Sequence, residues 1–230
     1  MTKPVVKTWP CPTAGGGTHD EIALAFRGGD TARVLVLPAF FDEANKLRRL
    51  TVEVMRRLAD AGIATVLPDL PGCNESRQPL QAQTLDHWRQ AARAAADHFE
   101  ASHVLTVRAG ALVAPPEMAG WNYAPVGGRQ VLRSMLRART IAAREAGIEE
   151  TIGTLEEQGR SEGIELAGWT LGAAMFRALE EAAPAAETAQ AKIAQDALEG
   201  GGLWLRAEPG ESAAQADGIA AAVAGALGAA

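Results

Sequence analysis

Three places in the chain carry side chains whose types and spacing suit chemistry. The first is Phe40-Phe41-Asp42-Glu43-Ala44-Asn45-Lys46, which sets an acceptor, an amide and a cation together where an apolar run gives way to an amphipathic one. A turn between a strand end and a helix start presents free backbone N–H groups to an anion. The same residues equally make a first-turn cap with a solvated Lys46, and both readings stand at this stage. The second is a literal G-x-S-x-G, Gly159-Arg160-Ser161-Glu162-Gly163. A nucleophile turn of that spelling needs a strand before it and a helix after it. Here polar Glu156-Glu157-Gln158 precede it and a strand-like run follows, so a solvated turn is expected. The third is Cys73, a nucleophile by type that lacks the adjacent base or depressed pKa a reactive thiol needs. A proton acceptor is equally hard to find. The histidines are His19, His87, His98 and His103, with none beyond residue 103, and His87 and His98 fall on a predicted helix where packing roles are expected.

Composition bounds what these residues can serve. The 230 residues are 47% hydrophobic and 22% charged, enough apolar side chain for a buried core in a single domain spanning 1–230. Lys plus Arg number 22 against 28 Asp plus Glu, so the net charge of −6 disfavours a global pull toward nucleic acid or anionic lipid, and no nucleic-acid motif is present. A local basic face remains: Arg129, Arg133, Arg137 and Arg144, with Arg139 off the stripe, lie opposite Val131, Met135 and Ala138. It either docks a phosphate-bearing sugar or an acidic partner, or pairs with Glu145, Glu149 and Glu150. Cys11 and Cys73 are the only cysteines, with no C-x-x-C and no His at zinc spacing, so no disulfide scaffold, metal or cofactor is expected. A reduced, cytoplasmic setting follows. Met1–Gly17 has no apolar run of the signal-peptide kind, and no window reaches the roughly 18 apolar residues of a membrane span.

The elements that would position these groups alternate along the first half. Ile22, Leu24 and Phe26 mark a strand, followed by Gly28-Gly29-Asp30 as hairpin punctuation; 33–37 and 63–67 read as buried strands, and 103–107 as a third. Leu47, Leu50, Val54, Leu58 and Ala61 trace a helix over 43–62 with Asp42 as its N-cap, and Leu85, Trp88, Ala92, Ala95 and Phe99 trace another. Parallel βαβ units result. Pro115, Pro116 and Gly120 remove the next crossover helix before a strand at 121–126. Beyond it the pattern predicts a helix over 129–146, a strand at 164–166, a helix over 171–183, helix or loop over 185–198, a last strand at 203–206 and a closing helix over 213–227. Trp121, Tyr123 and Trp169 are expected to pack core and cap.

In chain order, Leu37-Pro38-Ala39-Phe40-Phe41-Asp42-Glu43-Ala44-Asn45-Lys46-Leu47-Arg48-Arg49, Asp69-Leu70-Pro71-Gly72-Cys73-Asn74-Glu75-Ser76 and Arg108-Ala109-Gly110-Ala111-Leu112 are similar to successive motifs of the α/β-hydrolase superfamily. More narrowly, the chain resembles the exosortase A system-associated hydrolase 2 group. Residues 124–128, 135–139, 164–169 and 204–209 extend the likeness over most of the chain after Ala32. The resemblance implies a reduced α/β-hydrolase-like fold, a mostly parallel sheet with helices on both faces and a cap-like helical insertion at 129–183. It implies that the nucleophile position, third in Thr106-Val107-Arg108-Ala109-Gly110, holds Arg108, which stays protonated and has no lone pair to attack with. The superfamily's triad His follows the acid near the C-terminus, where this chain has none. Backbone N–H groups of Phe40 and Phe41 would stand where the superfamily holds an oxyanion. Phe40, Phe41, Glu43, Asn45, Lys46 and Arg108 thus form a candidate site for a small anionic ligand at the strand ends. The implied role is non-catalytic or cryptic, accessory to exosortase or exopolysaccharide physiology, with an anionic ligand or a protein partner. The alternative is an active ester or acyl hydrolase using Ser76, Ser161 or Cys73, one of which must then lie within roughly 3 Å of a base and near two converging N–H donors.

Overall fold

The computed structural model describes residues 2–13, 15–29 and 32–229. Its first strand is one that no apolar run announces. β1 (Pro4–Pro12) pairs antiparallel with β2 (Thr18–Phe26), from Pro4 opposite Phe26 to Pro12 opposite Thr18. β1 is the edge of the sheet, where prolines lacking an N–H lose no partner on the open side, and Trp9 and Cys11 turn inward to full burial. β2 then pairs with β4 (Ala64–Pro68) and not with β3 (Arg33–Leu37), so the expected hairpin at Gly28-Gly29-Asp30 does not form, and Asp30 itself lies outside the described residues. Gly28 serves a different need: a Cβ there would sit 2.3 Å from the Ala64 nitrogen, so only glycine allows this close approach.

β3 runs parallel to β4 on one side and to β5 (His103–Val107) on the other. Its alternation sorts the core into two layers. Val34 and Val36 join Leu105 and Val107 against α1 (Phe41–Asp60) on one face. Leu35 and Leu37 join Val104 against α2 (Leu85–His98) on the other. Each such side chain, taken wholly out of water, contributes about 1.5–3 kcal/mol. α1 begins one residue before the expected cap: Phe40 is its N-cap, and Asp42 lies inside the first turn, where a carboxylate suits the helix dipole. Thr84 caps α2, accepting the backbone N–H of His87.

After β5 a single 3₁₀ turn, Arg108–Leu112, replaces a crossover helix, as the prolines foretold, and β6 (Gly120–Tyr123) pairs parallel to β5. The chain then leaves the sheet for α3 (Gly128–Glu145), α4 (Ile152–Ser161), the small hairpin β7 (Ile164–Leu166) and β8 (Trp169–Leu171), and α5 (Ala173–Glu181). It returns as β9 (Gln190–Ile193), parallel to β6, and closes with α6 (Ala213–Ala226) packed beside α1. The strand order is β1-β2-β4-β3-β5-β6-β9, a mostly parallel sheet with helices on both faces. Three expectations need correction. Residues 185–198 hold β9 and a 3₁₀ turn, hidden because only Ile193 of the short edge strand is buried. Residues 203–206 form a 3₁₀ turn that buries Leu203, not a last strand. Gly159-Arg160-Ser161, expected in a solvated turn, are instead the last residues of α4, a helix started by a Thr151–Thr154 capping box. No described helix is long and apolar enough to cross a membrane.

Candidate functional site

The carboxyl edge of the sheet concentrates backbone strain. Phe41, Asn74, Arg108 and Ala124, each within a few residues of the end of β3, β4, β5 or β6, hold φ of 53°, 49°, 54° and 43°. Left-handed backbone in a non-glycine residue costs about 1–3 kcal/mol and persists only where the surroundings over-determine it. At Arg108 they do so from below: two residues on, a Cβ at Gly110 would stand 2.4 Å from the carbonyl oxygen of Leu37, which locks this turn against the end of β3. The sharp strand-to-turn geometry expected at 106–110 is therefore present, with an arginine at its apex.

That arginine is buried and its charge is answered within the protein. Its Nε donates to Glu43 Oε2 at 3.0 Å, its Nη2 to Glu43 Oε1 at 3.0 Å and its Nη1 to the carbonyl of Ala124 at 3.0 Å. The guanidinium carbon lies 3.9 Å from the centroid of the Trp204 ring. Arg108 and Glu43 keep only 6% and 12% of their side-chain exposure, so the pair is desolvated, and breaking it from one side costs about 3–5 kcal/mol. The turn after β5, the first turn of α1, the end of β6 and the 203–205 turn all meet at one fork–fork contact.

The other sequence-predicted residues fall unequally around it. Phe40 and Phe41 are buried, packed on Trp88 at ring distances of 4.9 and 5.7 Å, and Phe41 also meets Trp169 edge-on at 5.7 Å. Lys46 reaches back one turn to Asp42 at 2.8 Å. Phe40, Glu43 and Lys46 line a cavity of about 70 Å³ roofed by Val131 and Met135 of α3 and by Ala167. That is room for a few waters, against about 300–1,000 Å³ for small-molecule pockets. Asn45 is exposed and does not line it. At about 100° per residue Asn45 points some 200° away from Glu43, while Lys46 returns to within about 60°. The Ala124 carbonyl and Trp204 complete the Arg108 site and were not anticipated; both meet it only through tertiary contacts, which no local pattern encodes.

The alternative nucleophiles are placed clearly. Ser161 ends α4, exposed, its hydroxyl donating to the carbonyl of Glu157 at 2.9 Å. Cys73 is half-buried; burial, with Asp69 and Glu21 adding to it, pushes its thiol up to about 12, so it stays protonated. Ser76 is the closest to a reactive arrangement. Its Oγ donates to Glu21 Oε1 at 2.5 Å, and that oxygen lies 2.6 Å from His19 Nε2. The backbone N–H groups of Gly72 and Gln78 converge on the same Oγ at 2.8 and 3.2 Å. Both N–H groups thus bond the hydroxyl itself and leave no adjacent hole for an oxyanion, and a carboxylate, not an imidazole, touches the oxygen. Of the remaining histidines, His87 ties α2 to β1 through Gln83 at 2.7 Å and the Pro12 carbonyl at 2.8 Å. His98 packs on Phe99, and His103 stacks on Trp121 beside Ser102 at the amino end of β5, the opposite edge of the sheet. Among the described residues no group of three or more His, Cys, Asp or Glu is placed to hold a metal ion.

No protein-family model and no curated protein sequence matches this chain. Solved structures do. α/β Hydrolase domain-containing protein 10 from mouse aligns over 76% of this chain and 69% of that chain at 14% identity, with a TM-score of 0.51. A protein from Agrobacterium vitis S4 aligns over 61% of this chain and 60% of its own at 16% identity and a TM-score of 0.46. A 2-hydroxy-6-oxo-6-phenylhexa-2,4-dienoate hydrolase from Rhodococcus sp. strain RHA1 aligns over 56% and 47% at 19% identity and a TM-score of 0.40. The chain therefore spans three fifths or less of the length of the last two. With the mouse protein's likeness, the sheet order and the strained turn after β5, the class is an α/β-hydrolase fold.

Proposed function

We propose that this chain is a non-catalytic or cryptic α/β-hydrolase-fold protein, a binding or partner module in which the nucleophile's turn has become a structural tie. The observation that carries this reading is the bidentate Arg108–Glu43 contact at the apex of that turn. A buried guanidinium has no lone pair for attack, and the carboxylate beside it is taken up by the ion pair with no hydroxyl or thiol at the apex of the turn to activate. The segment 129–183 serves as the cap: Met135 and Ala167 close over Phe40 and Lys46. An anion entering here would take Lys46 from Asp42. A cytoplasmic setting and an accessory role in exosortase or exopolysaccharide physiology rest on the motif resemblance. That role is tested by deleting the gene in the organism that encodes it; unchanged exopolysaccharide yield and protein sorting would remove it.

The test of the inactive reading is direct. Purified protein incubated with p-nitrophenyl esters and a fluorophosphonate probe gives neither turnover nor labelling. The second reading, an ester or acyl hydrolase, is favoured by one observation, the Ser76–Glu21–His19 line of contacts. In it Glu21 takes the Ser76 proton as the oxygen attacks an ester's acyl carbon, returns that proton to the departing alcohol as the acyl–oxygen bond breaks, and water then releases the acyl group as the acid. Labelling that Ser76→Ala abolishes would establish that reading and end the first.

A further inference from the structure

We propose that a groove in the helical insertion, walled by α3, α4 and α5, binds a phosphorylated amphiphile, its phosphate on Arg133 and Arg137 and its apolar portion along Ile152. The groove has a volume of about 320 Å³, the size of a small-ligand pocket and several times that of the strand-end cavity. Its floor is apolar, formed by the buried side chains of Leu132, Leu136 and Phe176. Ile152 stands on its wall with 41% exposure, a large apolar side chain left facing water.

The rim is cationic in a protein of net charge −6. Four arginines line the groove against two glutamates, and both glutamates are engaged by one arginine: Arg160 bonds Glu180 at 2.6 Å and Glu156 at 3.2 Å. Arg129 reaches the backbone carbonyl of Glu180 at 3.3 Å. Among the described residues, Arg133 and Arg137 have no carboxylate within ion-pair distance; on α3 that pairing goes instead to off-stripe Arg139, outside the groove, which holds Glu150 bidentately at 2.7 Å. Arginines at i, i+4 and i+8 lie on one helix face and repel, costing about 0.2–0.5 kcal/mol per pair when nothing offsets them. A dianionic phosphate between Arg133 and Arg137 removes that repulsion and receives two planar forks of donors. An amphiphile, and not a bare anion, is the occupant because the cations border apolar surface within one groove.

Binding here does not depend on whether the turn at Arg108 is active. The test is calorimetric titration with decyl phosphate below its micelle concentration, with inorganic phosphate and with decanol. Decyl phosphate is expected to bind at least about 10-fold more tightly than inorganic phosphate, with no measurable heat for decanol. Arg133 and Arg137 are solvent-exposed, so R133E/R137E keeps its thermal midpoint while weakening decyl phosphate at least about 100-fold, two charge-assisted contacts being lost. Arg144→Glu, on the same helix outside the groove, leaves binding unchanged. Equal binding by the wild type and R133E/R137E, equal affinity for decyl and inorganic phosphate, equal weakening by Arg144→Glu, or an acidic peptide binding where decyl phosphate does not, would each overturn the proposal.

Discussion

Replacing Arg108 with methionine isolates what the tie at the head of β5 contributes. Methionine fills much of the same volume and satisfies none of the three hydrogen bonds. The Glu43 carboxylate, 12% exposed, is left in a site built for an ion pair, the Ala124 carbonyl loses its donor, and the Trp204 face loses its cation. One-sided loss of a buried pair costs about 3–5 kcal/mol. An unpartnered carbonyl costs about 1–3 kcal/mol and a desolvated cation–π contact about 0.5–2 kcal/mol. These overlap, since one side chain makes all of them, so the expected loss is about 4 kcal/mol out of a total near 5–15 kcal/mol. Urea unfolding followed by circular dichroism reads this as a fall in midpoint of about 1.3–2 M for m near 2–3 kcal/mol/M. Adding Glu43→Met to Arg108→Met recovers most of the loss, because the stranded carboxylate goes with it. A single-variant loss below about 1 kcal/mol would refute the reasoning. The guanidinium would then be loosely held, as a ligand-binding arginine is, and the turn would not be a structural tie.

Further outcomes follow from the same contacts. Arg108→Ser restores a hydroxyl at the apex of the turn yet creates no p-nitrophenyl esterase activity, because no imidazole stands at that end of β5; turnover by this single variant would show that a base had been overlooked. Burial pushes the thiols of Cys11 and Cys73 up to about 12, so in the native protein at pH 8 both react slowly with a thiol-exchange reagent and rapidly only in urea. Fast native labelling of Cys73 would contradict that burial. Asp69 is raised above the ordinary carboxylate value by burial, with the Asn74 amide at 2.6 Å opposing the shift in part. The folded state therefore holds its proton more tightly than the unfolded chain does, so its contribution favours folding at low pH and is lost as pH rises through the folded value. Relative to Asp69→Asn, the wild type should lose stability as pH rises above about 4, the unfolded value, and a parallel pH dependence of the two proteins would sink the assignment.

The parts of this molecule legible in its sequence are those whose burial is periodic. β3, β4 and β5 show as largely apolar runs because both faces are covered, and α1 and α2 show their inward stripes. β1 was illegible because an edge strand tolerates Pro4, Pro10 and Pro12, the residues that ordinarily argue against a strand. On β2 the alternation is visible, but which face is the deeper is not: Ala23 and Ala25 are buried more fully than Ile22 and Leu24. At the candidate site, the position of Arg108 follows from motif order and its nearness to Glu43 from both lying at strand ends; that the two pair with each other in place of an external anion shows only in the structure. Trp204 was assigned to a strand, since an apolar Leu-Trp-Leu triplet has the same composition whether it pairs or turns. Asn45 was grouped with Glu43 by proximity along the chain, and helical rotation separates them.

The strained turn at Arg108 and the start of α1 bear on where an anion would bind. A helix N-terminus beside a strand end is a ready anion site, and in this protein the anion is supplied from within: Glu43 lies in the first turn of α1, favoured there by the dipole by about 0.3–1 kcal/mol, and Arg108 grips it from the opposite side. Any external carboxylate or phosphate must displace a tethered competitor that the fold has already positioned, and it meets a cavity of about 70 Å³ when it arrives. Arg133 and Arg137 of α3 have no such competitor among the described residues, since Glu156 and Glu180 are held by Arg160 and Glu150 by Arg139. Anion binding that survives R133E/R137E but is lost on Lys46→Ala would therefore place the anion at the strand ends and not in the proposed α3 groove.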